Sequence, residues 1–144
     1  MIPPWAARYI GIPYVESGRD GNGLDCWGLL VLIWREQYGI DLPFYDGPHW
    51  ARGANRAEIA EAIRAEQSRY VEVPVGAEKE GDGIVLRLAG HPLHVGLVLA
   101  PGWMIHTHES AAVCVESYIG MTWARRVMGF WRHPLPLQEV GAHG

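Results

Sequence analysis

The chain has 144 residues, 49% of them hydrophobic and 19% charged, a length and balance that suit one folded domain and exclude a disordered or low-complexity protein. Its 12 Lys and Arg against 16 Asp and Glu leave a net charge of −4, which gives no support to bulk binding of nucleic acid or of an anionic membrane. With only 2 Cys there is no disulfide scaffold and no Cys-rich zinc site, so the 7 His are the count to explain, His being the side chain most readily recruited as a base or ligand near neutral pH.

The N-terminus, MIPPWAARYIGIPY, lacks a basic start followed by a long apolar stretch. It does not read as a secretory signal, and synthesis as a soluble cytoplasmic chain is expected. The most apolar run, Leu24 to Trp34, is far shorter than the roughly 20 residues of a membrane span. Pro4 to Ile10 suits a short helix with Pro in its first turn and Gly11 at its end. Gly18 to Gly23 is a turn-rich loop. Asp25 is a candidate N-cap for a helix from Cys26 to Tyr38, with Gly39 as its stop and Pro43 beyond. That helix is apolar nearly all round, so it should run through the core. Phe44 to Gly53 is loop-like, and Asn55 with Glu58 forms a capping pattern opening a helix to about Ser68, with Ile59 and Ile63 as a thin apolar stripe. The stretch 44–75 is expected to be an insertion carrying this surface helix. From Gly83 onward, Ile84–Leu88, His94–Leu99, Trp103–Thr107, Val113–Ser117 and Val127–His133 read as strands, with Pro101-Gly102 as a hairpin turn. Residues 134–144 read as a tail. One early core helix followed by antiparallel strands is an α+β pattern.

Cys26 lies at the start of the buried helix, where free backbone N–H groups and a positive partial charge favour a thiolate and can bind an oxyanion. A helix terminus supplies about 0.3–1 kcal/mol, less than one pKa unit at about 1.36 kcal/mol, while a free thiol titrates near 8.5. A nucleophilic Cys26 therefore needs an imidazole in contact. On alternating strands His94, Gly96 and Val98 share a face, and Gly96 is expected to let the Cys26 helix approach closely. Met104, His106 and His108 share a face of the next strand, which makes His106 a candidate orienting partner for His94. Blander roles compete: a Cys on an apolar helix is also a small buried hydrophobe, and a strand His is often a satisfied core residue. His91-x-x-His94 and His106-x-His108 have the spacing of metal-ligand pairs. Without further Cys or nearby acidic ligands, no metal is expected. Cys114 reads as buried filler, and a Cys26–Cys114 disulfide is not expected.

The stretch GIPYVESGRDGNGLDCWGLLVLIWREQYGIDLP resembles the start of the NlpC-type cysteine peptidases, which cut peptidoglycan stem peptides. The matching positions are Tyr14, Asp25, Cys26, Gly28 and Leu29, followed by Gly81-Asp82, His94-Val95-Gly96-Leu97 and Ile105-His106-Thr107. The motifs occur in the family's order, from about residue 8 to residue 132. The resemblance implies a single papain-like compact α+β domain over 1–144, its core N-terminal helix packed on an antiparallel β-meander of five to six strands. It implies Cys26 as nucleophile, His94 as general base and acid, His106 as the orienting third member, and no cofactor. Tyr14 becomes a candidate oxyanion or substrate contact, and Asp25 a candidate substrate contact beside its capping role. Trp27 stands where the family usually has Ser. The Asp-Cys-Trp-Gly-Leu form looks like the phage and prophage branch, so the expected partners are a peptidoglycan stem peptide and phage tail proteins, at the virion or the bacterial envelope. The alternative is a tail-assembly protein of the same fold with little or no activity. A His-based metal hydrolase and an acyl transferase are further rivals.

Overall fold

The chain enters through a 3₁₀ turn, Pro4–Arg8, with Pro in its first positions, and Gly11 at φ +92° redirects the backbone. The computed structural model describes residues 1–16, 18–43, 63–88, 91–108 and 111–135. Tyr9, just past the turn, is buried. Its hydroxyl donates to Glu36 at 2.7 Å and accepts from Gln37 at 2.9 Å, tying the N-terminal segment to the end of the core helix. The loop 18–24 folds into two short antiparallel arms, β1 (Arg19–Asp20) and β2 (Gly23–Leu24).

The core helix α1 spans Cys26–Ile33, and every residue from Trp27 to Ile33 is buried. The sequence predicts one α-helix to Tyr38, but Trp34–Tyr38 form a wider π-helical turn. The change begins where the Trp34 N–H divides between the Leu30 and Val31 carbonyls. Gly39 then stops the helix at φ +69°, the left-handed conformation that favours glycine.

The main sheet holds β3 (Val71–Val73), β4 (Gly83–Leu88), β5 (His91–Ala100), β6 (Trp103–His108), β7 (Ala111–Ser117) and β8 (Val127–Arg132). Its order is β3-β8-β4-β5-β6-β7, with every neighbouring pair antiparallel. Only β4 to β7 run as the expected meander. β8 returns beside β4, and β3 closes the edge. Arg132 on β8 fixes this return: its guanidinium makes two 2.8 Å bonds to the fully buried Asp82 carboxylate at the foot of β4.

The two faces of the sheet carry separate clusters. Val85, Val95, Leu97, Leu99, Ile105 and Val113 pack with α1. Ile84, Leu86, Val98, Met104 and Phe130 face the other way, covered by Tyr118 and Trp123 from the segment after β7. This corrects the role expected of Gly96, because α1 sits on the Val95–Leu97–Leu99 face. A Cβ at Gly96 would meet the His106 Cβ at 3.1 Å and the Ile105 carbonyl at 3.2 Å. The glycine thus makes room for His106 on the neighbouring strand. Residues 63–67 are helical, and Ile63 joins the α1 cluster. The Asn55 cap, Ile59 and most of the tail lie outside the described residues. Among the described residues no helix is long and apolar enough to cross a membrane.

Candidate active site

Asp25 starts α1 as the sequence predicts. Its Oδ1 accepts the Gly28 N–H at 2.7 Å, a capping bond to the first turn. The same oxygen accepts from Arg19 Nη1 at 2.7 Å, and both side chains of this pair are buried. Gly28 is what admits the pairing loop: a Cβ there would lie 1.9 Å from the Gly18 carbonyl oxygen. Tyr14 is half-buried, its backbone bridged to Leu24 just ahead of this cap.

Cys26 is the first residue of α1, half-buried and a free thiol. The backbone N–H groups of Val95 and Trp27 point at its sulfur. The sulfur therefore lies against the His94–Val95 peptide of β5, where the β5–β6 pairing has already ended at Leu97–Ile105. Burial and then the Asp25 charge push the thiol up to about 12, outweighing Val95, Arg19 and Trp27, which pull it down. The pull toward the thiolate expected of a helix terminus is thus opposed by desolvation and the cap carboxylate.

His94 and His106 are both buried, and His94 Nε2 lies 2.9 Å from His106 Nδ1. His106 Nε2 lies 2.5 Å from the Glu116 carboxylate on β7. Trp123 closes the row: its ring stacks on His94 at 6.0 Å, meets His106 edge-on at 4.9 Å, and its Nε1–H donates to Glu116 at 3.1 Å. Burial holds His106 below the usual histidine range, outweighing the attraction of Glu116. The bonds from His106 and Trp123 in turn hold Glu116 below the usual carboxylate range, against desolvation.

These partners order the protons. A carboxylate only accepts, so His106 carries its proton on Nε2, and its Nδ1 accepts. His94 must then donate from Nε2, which leaves its lone pair on Nδ1. This tautomer follows from the hydrogen-bond partners.

Glu116 is the residue that sequence reasoning missed. The alternation in AAVCVES carries the signal: Val113 and Val115 turn to the α1 cluster, which leaves Cys114 and Glu116 for the His106 face. Cys114, read as filler, is half-buried and pairs across the strands with His106. His108 also joins the ring cluster, 5.7 Å from His106 between centroids. Trp27, in place of the usual Ser, is structural: it is buried, and its Nε1–H donates to the Pro43 carbonyl at 2.6 Å. With Leu30, Ile63, Tyr70, Val95 and Trp131 it lines an apolar pocket.

The NlpC/P60 family profile matches residues 11–132. The chain belongs to the NlpC/P60 family. It is 23% identical over 122 residues to the Escherichia coli murein DD-endopeptidase MepS/murein LD-carboxypeptidase, covering 83% of this chain and 55% of that protein. It is 29% identical over 99 residues to the γ-D-glutamyl-L-lysine dipeptidyl-peptidase of Bacillus cereus, covering 69% of this chain and 25% of that one. The crystal structure of an NlpC/P60 family protein from Bacillus cereus superposes with a TM-score of 0.66 at 22% identity, over 94% of this chain and 42% of that one. The expected papain-like α+β fold is therefore the one observed. This chain spans about half the length of MepS and a smaller share of the other two.

Proposed function

We propose that this chain is a cysteine peptidase that hydrolyses an amide bond in peptidoglycan stem peptides, with Cys26 as nucleophile, His94 as base and acid, and His106 as the orienting residue. The observation that carries this reading is the row His94–His106–Glu116, which leaves the His94 lone pair on Nδ1, with the Cys26 sulfur against the backbone N–H of Val95, the next residue of the same strand. The names of the relatives support the substrate class: one is a murein endopeptidase and carboxypeptidase, another a γ-D-glutamyl-L-lysine dipeptidyl-peptidase.

Burial and the Asp25 charge favour the thiol form, and the thiol is the starting state of the proposed reaction. Cys26 stays protonated at rest, and its proton passes to His94 Nδ1 as the sulfur bonds to the amide carbon. Backbone N–H groups at the start of α1 receive the developing oxyanion. The tetrahedral adduct breaks its C–N bond, and the proton held by His94 leaves with the amine. Water, deprotonated by the same nitrogen, then cleaves the thioester. Tyr14 serves as an oxyanion or substrate contact and Asp25 as a substrate contact, and the apolar pocket beside Trp27 takes an aliphatic part of the peptide. No step uses a cofactor.

The test is digestion of purified muropeptides followed by mass spectrometry, comparing wild type with Cys26→Ala. New products from wild type alone are expected, and their masses name the bond. Identical product profiles would overturn the reading and favour a structural role for the fold. The tail-associated setting is part of the same proposal and rests on the Asp25-Cys26-Trp27-Gly28-Leu29 form. Peptide mass spectrometry of purified virions from the source strain tests it.

A further inference from the structure

We infer that His106, Cys114 and Glu116 form a binding site for a thiophilic divalent cation, Zn²⁺ foremost, and that filling it switches the peptidase off. The second half of this inference rests on the role proposed above for His106; the first half does not.

The ligands come from two paired strands. Cys114 on β7 lies directly across from His106 on β6, and Glu116 is two residues further along β7 on the same face. One nitrogen, one sulfur and one oxygen thereby lie within 4.8 Å of one another. The Cys114 sulfur is 3.9 Å from the Glu116 carboxylate oxygen that meets His106. Tetrahedral zinc, with bonds of roughly 2.0–2.3 Å, sets its ligand atoms roughly 3.5 Å apart. The sulfur has to close by roughly 0.4 Å and the His106 Nε2–Glu116 pair, 2.5 Å apart in the structure, has to open by roughly 1 Å, movements that rotation of the half-exposed Glu116 side chain supplies. A thiolate, an imidazole and a carboxylate together suit zinc over the hard cations.

The outer partners are already in place. His94 engages the far nitrogen of the His106 ring, and the Trp123 Nε1–H holds the carboxylate. The Glu116 side chain is 39% exposed, so an ion reaches the site from solvent while His106 stays fully buried. Water completes the coordination, with His108 next along β6.

Inhibition follows from proton order. In the metal-free row His106 carries its proton on Nε2, and His94 keeps its lone pair on Nδ1. A metal on His106 Nε2 moves that ring's proton to Nδ1, which then donates to His94 Nε2. His94 must now hold its own proton on Nδ1, the nitrogen that has to accept from Cys26. Each ring keeps one proton, and the only one released is that of the Cys114 thiol. The base is lost without anything blocking the cleft.

Co²⁺ serves as the spectroscopic probe, since a thiolate ligand gives a ligand-to-metal charge-transfer band. The band is expected in the full chain carrying Cys26→Ala and is expected to vanish in Cys114→Ala, with Zn²⁺ binding weakened by more than about 100-fold. A band that needs Cys26, or none in either variant, overturns the site. Cys114→Val stands in if Cys114→Ala melts out. In muropeptide digestion, Zn²⁺ is expected to stop wild type reversibly on adding a chelator. Cys114→Ala keeps its metal-free rate and loses the zinc sensitivity. A Cys114-dependent band with digestion unaffected by Zn²⁺ overturns the switch. The band decides the site even for a chain that cleaves no muropeptide, so failure of the site and failure of the peptidase reading remain distinguishable.

Discussion

Glu116→Gln isolates one charge. The amide oxygen can still accept from His106 and from Trp123, so the shape of the row is kept while the carboxylate is removed. That carboxylate is 2.5 Å from His106, and His94 Nε2 is 2.9 Å from the other nitrogen of the same ring. Glu116 therefore faces the positive charge that develops on His94 across roughly 7 Å, worth about 2 kcal/mol at an effective dielectric of about 20. Its side chain is 39% exposed, and solvent screening brings the figure toward about 1 kcal/mol. At about 1.4 kcal/mol per tenfold, kcat on muropeptides should fall by about 5- to 30-fold. KM should stay nearly unchanged, because Glu116 is argued to act through His106 rather than on the substrate. The measurement is a steady-state series by chromatography of muropeptide products, with a thermal melt of the same preparation. A variant that melts like wild type yet keeps kcat within twofold would refute the proton-order argument. A loss confined to the melt would leave Glu116 as scaffolding alone.

Asp25→Ala removes a helix cap and the carboxylate that pairs with the buried Arg19 guanidinium, which keeps its bond to the Gly18 carbonyl, so denaturant unfolding should show a loss of about 2–4 kcal/mol; under about 1 kcal/mol the pair is not structural. Gly28→Ala would help an exposed helix by about 1 kcal/mol, but here the new Cβ lies 1.9 Å from the Gly18 carbonyl oxygen, so a net loss of about 1–3 kcal/mol is expected, and any gain in stability contradicts that contact. With Cys26 pushed up to about 12, its thiolate fraction grows tenfold per pH unit below that value. Alkylation by iodoacetamide should therefore keep rising from pH 6 to pH 10, and a plateau near neutrality would show a preformed ion pair instead. Arg132→Met leaves the buried Asp82 carboxylate unpaired at the β4–β8 junction, with an expected loss of about 3–5 kcal/mol read by denaturant unfolding.

What was legible in the sequence is what short-range physics decides. Asp25 ahead of an apolar run reads as a cap, and Gly39 after it as a stop; both occupy those positions. The five later strands announce themselves by β-branched runs and turn residues, and each lies within two or three residues of its expected bounds. The misses share a different cause. β8 beside β4, Arg132 on Asp82 and Arg19 on Asp25 are pairings whose partners carry no local mark. The setting of the Cys26 thiol shows the same divide: the helix terminus is visible in the sequence, whereas the desolvation of the sulfur is a property of the packed domain. Gly96 shows how a single parity choice misleads. The alternation divides the residues of its strand into the right two sets but carries no mark of which set faces α1. That choice also decided Glu116 and Cys114. Once His106 is placed on the face away from α1, the alternation of β7 forces both of them beside it, so one fact about sheet orientation turns a filler cysteine and a surface glutamate into neighbours of the candidate base.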